Sequence, residues 1–373
     1  MPRLARADIF ASSDIAIVNV VSRTVRRCFL MGFDKFSGKN FDHRKPWVEQ
    51  QLADQARYFA IDLCSFAILD NEIQQQLRSR PDIVQQMDDV EVARRWLMLC
   101  PARRGKNRQP EEPTEVEVNR VVNDKARVEE LRRRLSDISW WMRLLCQHIA
   151  QRANREDEEV GKFWQARYKA VKNLDATATL ACAVYIDLKP ILAGVADSID
   201  TAVFTSANRR ATQQMATGEP CEHNAADRGS GGERTHEAMD STPPASTVLT
   251  CDHLAPVSLC EKSANPGLLI HTRGTRCSDK GFLPITLSEY LELLEWSAKH
   301  QRGKKSIPAP DTVDRVLAEL NISVEAWREL IRDFGRLFSS VAGKPHVIDA
   351  YRSPTKSQRF RPRPRVRELL TNS

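Results

Sequence analysis

The chain has 373 residues, enough for one large domain or two modest ones. A hydrophobic content of 41% suits a folded core and excludes a wholly disordered chain. No apolar run reaches the ~18 residues of a membrane helix, so no membrane partner is expected. Ile15–Val21 is apolar but short and broken by Asn19, which argues against a signal peptide. The nine cysteines are scattered. Cys64, Cys100, Cys146 and Cys182 fall inside apolar patterns and read as buried thiols in a reducing cytoplasm. The net charge of +7 is concentrated at the end: residues 351–373 hold seven Arg or Lys against one Glu, a net +6. A tail of that kind attracts phosphate backbones without reading sequence.

In chain order, Ile15–Val21 reads as a strand from its β-branched run. Pro46 opens a helix through Tyr58, with Trp47, Leu52, Ala56 and Phe59 at helical spacing. Ala60–Leu69 is strand-like. The turn signal Asp70-Asn71 leads into Glu72–Arg78, a second strand of a hairpin. Ile83–Cys100 is a helix, Pro101–Thr114 a charged loop, and Val121–Ala153 one or two long helices striped by Trp140, Trp141, Leu144 and Leu145. Thr177–Leu188 is a further, apolar helix. Gly, Ser, Thr, Glu and Asn then dominate Ala211–Thr250, which reads as a disordered linker. Ile285–His300, Asp311–Leu320 and Ser323–Ala342 are amphipathic helices, the last capped by Ser323. The final Arg359–Arg367 alternates Arg with Pro and predicts an extended arm rather than a helix. Cys251, His253, Cys260, His271 and Cys277 are zinc-compatible types whose spacing fits no compact zinc module.

The most informative block is Gly161–Gly194. It contains Gly161, Phe163, Trp164, Arg167, Tyr168 and Lys169, then Tyr185, Ile186, Asp187, Leu188, Pro190, Ala193 and Gly194. This block resembles the catalytic domain of REP-associated tyrosine transposases, single-tyrosine transposases of the HUH class. The resemblance covers roughly residues 14 to 210. A weaker match, Arg276–Pro284 followed by Tyr290–Trp296, is similar to the tail region of planctomycete-type members. The resemblance implies a DNA-cleaving tyrosine at Tyr185. It also implies a divalent metal, Mg or Mn, held by two histidines one residue apart on a strand, where side chains two apart share a face. In the matching segment, Asn71–Arg78, those histidines are replaced by Glu72 and Gln74, and an upstream histidine by Asn19. No His-x-His occurs in the chain. Lys189 stands where relatives mostly carry Asn, four residues after Tyr185 and on the same helix face if the helix continues.

These residues predict an α+β fold: a ferredoxin-like antiparallel sheet with packed helices, followed by a mainly helical C-terminal region. The expected divisions are a transposase-like domain over 1–210 with a helical insertion near 83–154, a disordered linker over 211–270, a helical region over 271–345 and a basic disordered tail over 346–373. The expected partner is single-stranded or hairpin DNA, contacted by Arg23, Arg26, Arg27, Arg167, Lys169, Lys189, Arg359, Arg361, Arg363, Arg365 and Arg367. A homodimer is compatible with the sequence. Tyr185 is the ancestral nucleophile, and Glu72 with Gln74 form a degenerate metal site. The leading expectation is a cytoplasmic, nucleoid-associated DNA-binding protein impaired in cleavage, with the metal lost. Two other readings stay open: an active transposase using Glu72 and Gln74 as substitute ligands, and a domesticated protein without catalysis. If the two substituted histidines leave a polar hole, Lys189 is placed to fill it by pairing with Glu72.

Overall fold

The structure, a computed structural model, describes residues 9–10, 13–25, 28–105, 109–217, 251–259, 269–302, 308–352 and 360–371. A five-stranded sheet organises it. Its strands are β1 (Ile17–Arg23), β2 (Ile61–Ile68), β3 (Glu72–Ser79), β4 (Lys169–Asn173) and β5 (Val341–Ala342), in the order β2-β3-β1-β4-β5. The first four strands pair antiparallel, and β5 joins β4 in parallel. A helix, α1 (Lys45–Tyr58), links β1 to β2, and five more fill the gap from β3 to β4. Placing β1 and β3 at the centre of this strand order gives the ferredoxin-like βαββαβ arrangement, so the expected α+β class holds.

The helices between β3 and β4 are α2 (Pro81–Val84) with α3 (Asp89–Leu99), then α4 (Glu115–Val122), α5 (Lys125–Leu135) and α6 (Ile138–Asp157). The single helix expected over Ile83–Cys100 is two, because Asp88 breaks the run and caps α3 through the Glu91 N–H. Along Val121–Ala153 the break falls at Asp137, which caps α6 through the Ser139 N–H. Trp141 and Leu145 of α6 join Val48 and Leu52 of α1 in a core that covers one sheet face together with Val18, Val20, Ile73 and Leu77.

The other face is covered by α7 (Ala176–Asp187). Asp175 caps it through the Ala178 N–H, and ten consecutive residues, Ala178–Asp187, are all buried. A helix apolar on every side needs neighbours on every side. The sheet supplies one. The C-terminal helices α10 (Leu287–Arg302), α11 (Asp311–Glu319) and α12 (Val324–Leu337) supply another, in one core with α7. Between them in sequence lie the short α8 (Lys189–Leu192) and α9 (Ser206–Thr217). The C-terminal helices therefore complete the fold around α7. Arg78 and Arg80 of the sheet reinforce this. Both pair with the fully buried Asp62, at 2.8 and 3.4 Å, and they reach the Gly281 carbonyl (2.7 Å) and the Ser278 hydroxyl (2.6 Å).

Two expected disordered segments are ordered where described. In the 211–270 linker, α9 continues to Thr217, and Cys251–Leu259 packs on the sheet edge, with the Ala255 N–H donating to the Leu63 carbonyl at 2.9 Å. The remainder, 218–250 and 260–268, lies outside the described residues. In the tail expected to be disordered, α13 (Pro345–Tyr351) and α14 (Pro364–Thr371) are helices, and α14 takes in Pro364–Arg367 of the expected extended arm. Pro364 begins α14, where a missing N–H removes no helix bond. Val366 and Leu370, four apart, bury the same face.

Candidate functional site

Strand β3 carries polar residues on both faces, and both are buried. Gln75 faces α6, where its carbonyl accepts from Trp141 Nε1 at 2.8 Å. Glu72, Gln74 and Gln76 alternate onto the α7 face. Gln76 donates to the Thr179 carbonyl of α7 at 3.0 Å, and Gln74 donates to Asn19 Oδ1 of β1 at 3.1 Å. Asn19 and Gln74, two positions where the resemblance implies histidine, thus hydrogen-bond each other. Gln74 Oε1 is buried with no hydrogen-bond partner.

Tyr185 lies on the same side. The chain stays helical through Leu188 (φ −81°, ψ −8°) into α8, so Lys189 sits one turn beyond Tyr185. Its Nζ donates to the Tyr185 hydroxyl at 2.7 Å and stands 3.4 Å from Glu72 Oε1. The other Glu72 oxygen accepts from Arg23 Nε. The expected Glu72–Lys189 pair is therefore formed, with Arg23 as a third member. Burial opposes charging Lys189, but the Glu72 carboxylate and the Tyr185 hydroxyl outweigh it and raise the ammonium above the ordinary lysine range.

The Tyr185 ring stacks on Phe334 of α12, with centroids 5.5 Å apart. The next residue, Gly335, faces the hydroxyl: a Cβ there would lie 3.1 Å from the Tyr185 oxygen. Together these elements enclose a cleft of about 370 Å³. Arg23, Arg167, Lys169, Lys189 and Arg363 line it against a single acidic residue, Glu72.

Five of the candidate DNA contacts therefore meet around Tyr185. Others do not. Arg365 pairs with Glu329 and Glu368, and Arg367 with Asp349 at 2.7 Å. Arg361 is exposed beyond the cleft lining. Arg26, Arg27 and Arg359 lie outside the described residues. Of the aromatic block, Trp164 donates to the Cys146 carbonyl at 2.7 Å and packs edge-on against Phe163, so it serves the core. Phe334, Gly335, Ser339 and Ser340 were not read as site residues. The periodicity of α12 marks it as a buried helix without saying what it covers. Among the described residues, no group of three or more His, Cys, Asp or Glu is arranged to hold a metal ion.

No protein-family profile matches the chain, and no curated protein matches it. Among solved structures, it is similar to a REP-associated tyrosine transposase bound to a REP hairpin. The alignment covers 64% of this chain and all of that one, at 11% identity and a TM-score of 0.32. Likeness at that level fixes neither fold nor function. No helix among the described residues is long and apolar enough to cross a membrane.

Proposed function

We propose that this chain binds DNA, single-stranded or folded into a hairpin, in the cleft around Tyr185. In this reading it is a relative of the single-tyrosine transposases in which the metal-assisted route to cleavage is lost. The observation that carries the reading is the meeting of Tyr185, the Glu72/Gln74 strand face and five cations in one cleft. Such a cleft attracts a phosphodiester backbone and repels basic partners. The resemblance in Gly161–Gly194 supplies the class of nucleic acid.

The donor set does not suit a divalent ion. Both Glu72 oxygens already face cations, the Arg23 guanidinium and the Lys189 ammonium. A dication about 4 Å from an ammonium is repelled by roughly 8 kcal/mol at an effective dielectric of about 20. The other candidate ligands, Gln74 and Asn19, are neutral amides that bind each other. These contacts disfavour an active transposase that uses Glu72 and Gln74 as substitute ligands. The proposed setting is the nucleoid of the cytoplasm. One chain supplies every residue of the cleft, so a homodimer is not required to build it.

Crosslinking with a hairpin oligonucleotide bearing 5-iodouracil tests the assignment. Peptides containing Arg167, Lys169 or Lys189 should carry the adducts. Adducts confined to the insertion helices α3–α6 would contradict it.

A further inference from the structure

We propose that the outer side of α6 is a second nucleic-acid surface, one that takes the sugar–phosphate backbone of duplex DNA without reading its sequence. The helix packs on the sheet face opposite α7. The surface therefore lies apart from the Tyr185 cleft and does not depend on the reading of that cleft. Its first sign is a bias in the sequence. From Ile138 to Arg155 the helix carries three arginines and one histidine and no acidic residue. Arg143, Gln147, Gln151 and Arg155 recur every four residues, so they form one ridge, and all four are exposed. At ~1.5 Å per residue the ridge is ~18 Å long, about five base-pair steps of ~3.4 Å.

Two adjoining hollows, of about 440 and 470 Å³, run beside the ridge and share Arg104, Leu144 and His148 as lining. The first is lined by Arg104, Arg127, Arg134 and Arg143 and by no acidic residue. The second adds Arg152 and Arg155 against Asp54 alone. Glu130, which does not line the first hollow, pairs with both Arg127 and Arg134. Arg143 and Arg155 have no carboxylate partner among the described residues. Six arginines thus face two carboxylates, an excess that attracts a phosphate backbone.

Indoles hold three of these guanidiniums. Arg134 and Arg143 lie 4.1 and 4.6 Å from the Trp140 ring centroid, and Arg152 lies 3.8 Å from that of Trp47. Stacking fixes a guanidinium but leaves its charge and its in-plane N–H groups for a phosphate. The same contacts select duplex over single strand. Unpaired bases bind by stacking on open aromatic faces. Here Trp140 and Trp47 carry guanidiniums, and Trp96 is buried with its ring edge-on to Trp140. The surface therefore offers phosphate contacts and no platform for a base.

The test is fluorescence anisotropy of the full chain with a blunt, mixed-sequence duplex across a salt series. Arg143→Gln/Arg155→Gln should weaken binding and lower the slope of log K against log salt by about 1.8, two duplex contacts at ~0.9 each. Arg143→Lys/Arg155→Lys, which keeps both charges, should hold the slope and controls for folding. Arg167→Ala/Lys169→Ala, in the Tyr185 cleft, should leave the duplex slope unchanged. An unstructured single-stranded oligonucleotide, measured in parallel, should be insensitive to the α6 changes. Single-strand binding without duplex binding overturns this inference and leaves the cleft reading intact. Duplex binding that falls with Arg143 and Arg155 upholds it, even if neither single strand nor hairpin responds to Arg167 and Lys169, which would overturn only the cleft reading. A duplex slope that falls with Arg167 and Lys169 but not with Arg143 and Arg155 overturns the inference. So does tighter binding of a polyglutamate peptide of equal charge, which would mark a surface for an acidic protein.

Discussion

Replacing Lys189 by Met tests the substitution at the heart of the site. The ammonium stands 3.4 Å from a Glu72 oxygen, with the two side chains 20% and 5% exposed. At an effective dielectric of about 20, that separation is worth roughly 5 kcal/mol of gross Coulomb attraction. Desolvating both groups takes back much of this. Glu72 also keeps Arg23 as a partner when Lys189 is lost, so the cost stays below the ~3–5 kcal/mol of a buried charge stripped of its partner. We expect Lys189→Met to cost about 2 kcal/mol, a fall in melting temperature of about 2.5 °C for a chain of this size. A double-mutant cycle with Glu72→Gln isolates the ion pair from the Tyr185 hydrogen bond. Its coupling should be about 1–2 kcal/mol by thermal or urea unfolding. Effects that add to within ~0.5 kcal/mol would show that the pair does not hold the helix to the sheet.

Three further outcomes follow from the same structure. Asp62→Ala leaves Arg78 and Arg80 buried without their shared carboxylate, so it should destabilise by about 3–5 kcal/mol, far more than Asp62→Asn, whose amide oxygen can still accept from the Ser278 hydroxyl that donates to Asp62 at 2.8 Å; equal effects in unfolding experiments would refute this. Gly335→Ala should fail to deliver the ~1 kcal/mol that alanine normally brings to a helix, because its Cβ meets the Tyr185 hydroxyl at 3.1 Å, and a Tyr185→Phe background should restore part of the gain. In the tail, Arg365 holds the Glu329 carboxyl below its ordinary range. A depressed carboxyl contributes stability that is present above its unfolded pKa of about 4.5 and lost as pH falls through the folded value. Protection factors for hydrogen exchange over Pro364–Leu370, corrected for the intrinsic rate at each pH, should therefore fall on acidification below pH ~4.5, and unchanged protection there would count against the clamp.

The β2–β3 hairpin was legible because the Asp70-Asn71 turn marks it, although β3 itself, with Gln74, Gln75 and Gln76 in a row, shows no clean alternation. Two errors have a common cause. Arg361–Arg367 and Ala211–Thr217 look too polar to fold alone, but Val366 packs into a core shared with helices far away in sequence and Gln213 accepts from the Cys251 N–H at 2.7 Å, and composition reports neither. The same limit hid β4, whose five residues KAVKN acquire strand geometry from β1 on one side and β5 on the other. At the site, Tyr185 and Glu72 were singled out by the resemblance, and the four-residue spacing then put Lys189 on the Tyr185 face. Gly335 was not, since nothing local to α12 points to a hydroxyl on α7. The tail arginines show the reverse case. Their charge was plain, but Glu329 and Asp349 already engage Arg365 and Arg367, so these two contribute little to the attraction of phosphate.

The most direct measurement of the central claim is the salt dependence of hairpin binding by fluorescence anisotropy, comparing the unmodified chain with Arg167→Ala/Lys169→Ala and with Arg365→Ala/Arg367→Ala. If the cleft around Tyr185 holds the phosphate backbone, removing Arg167 and Lys169 should weaken binding and reduce the slope of log K against log salt by about 1.4, two single-strand contacts at ~0.7 each. The tail pair should leave the slope nearly unchanged. Binding that keeps its full slope without Arg167 and Lys169, and loses it without Arg365 and Arg367, would place the DNA on the tail and contradict the account.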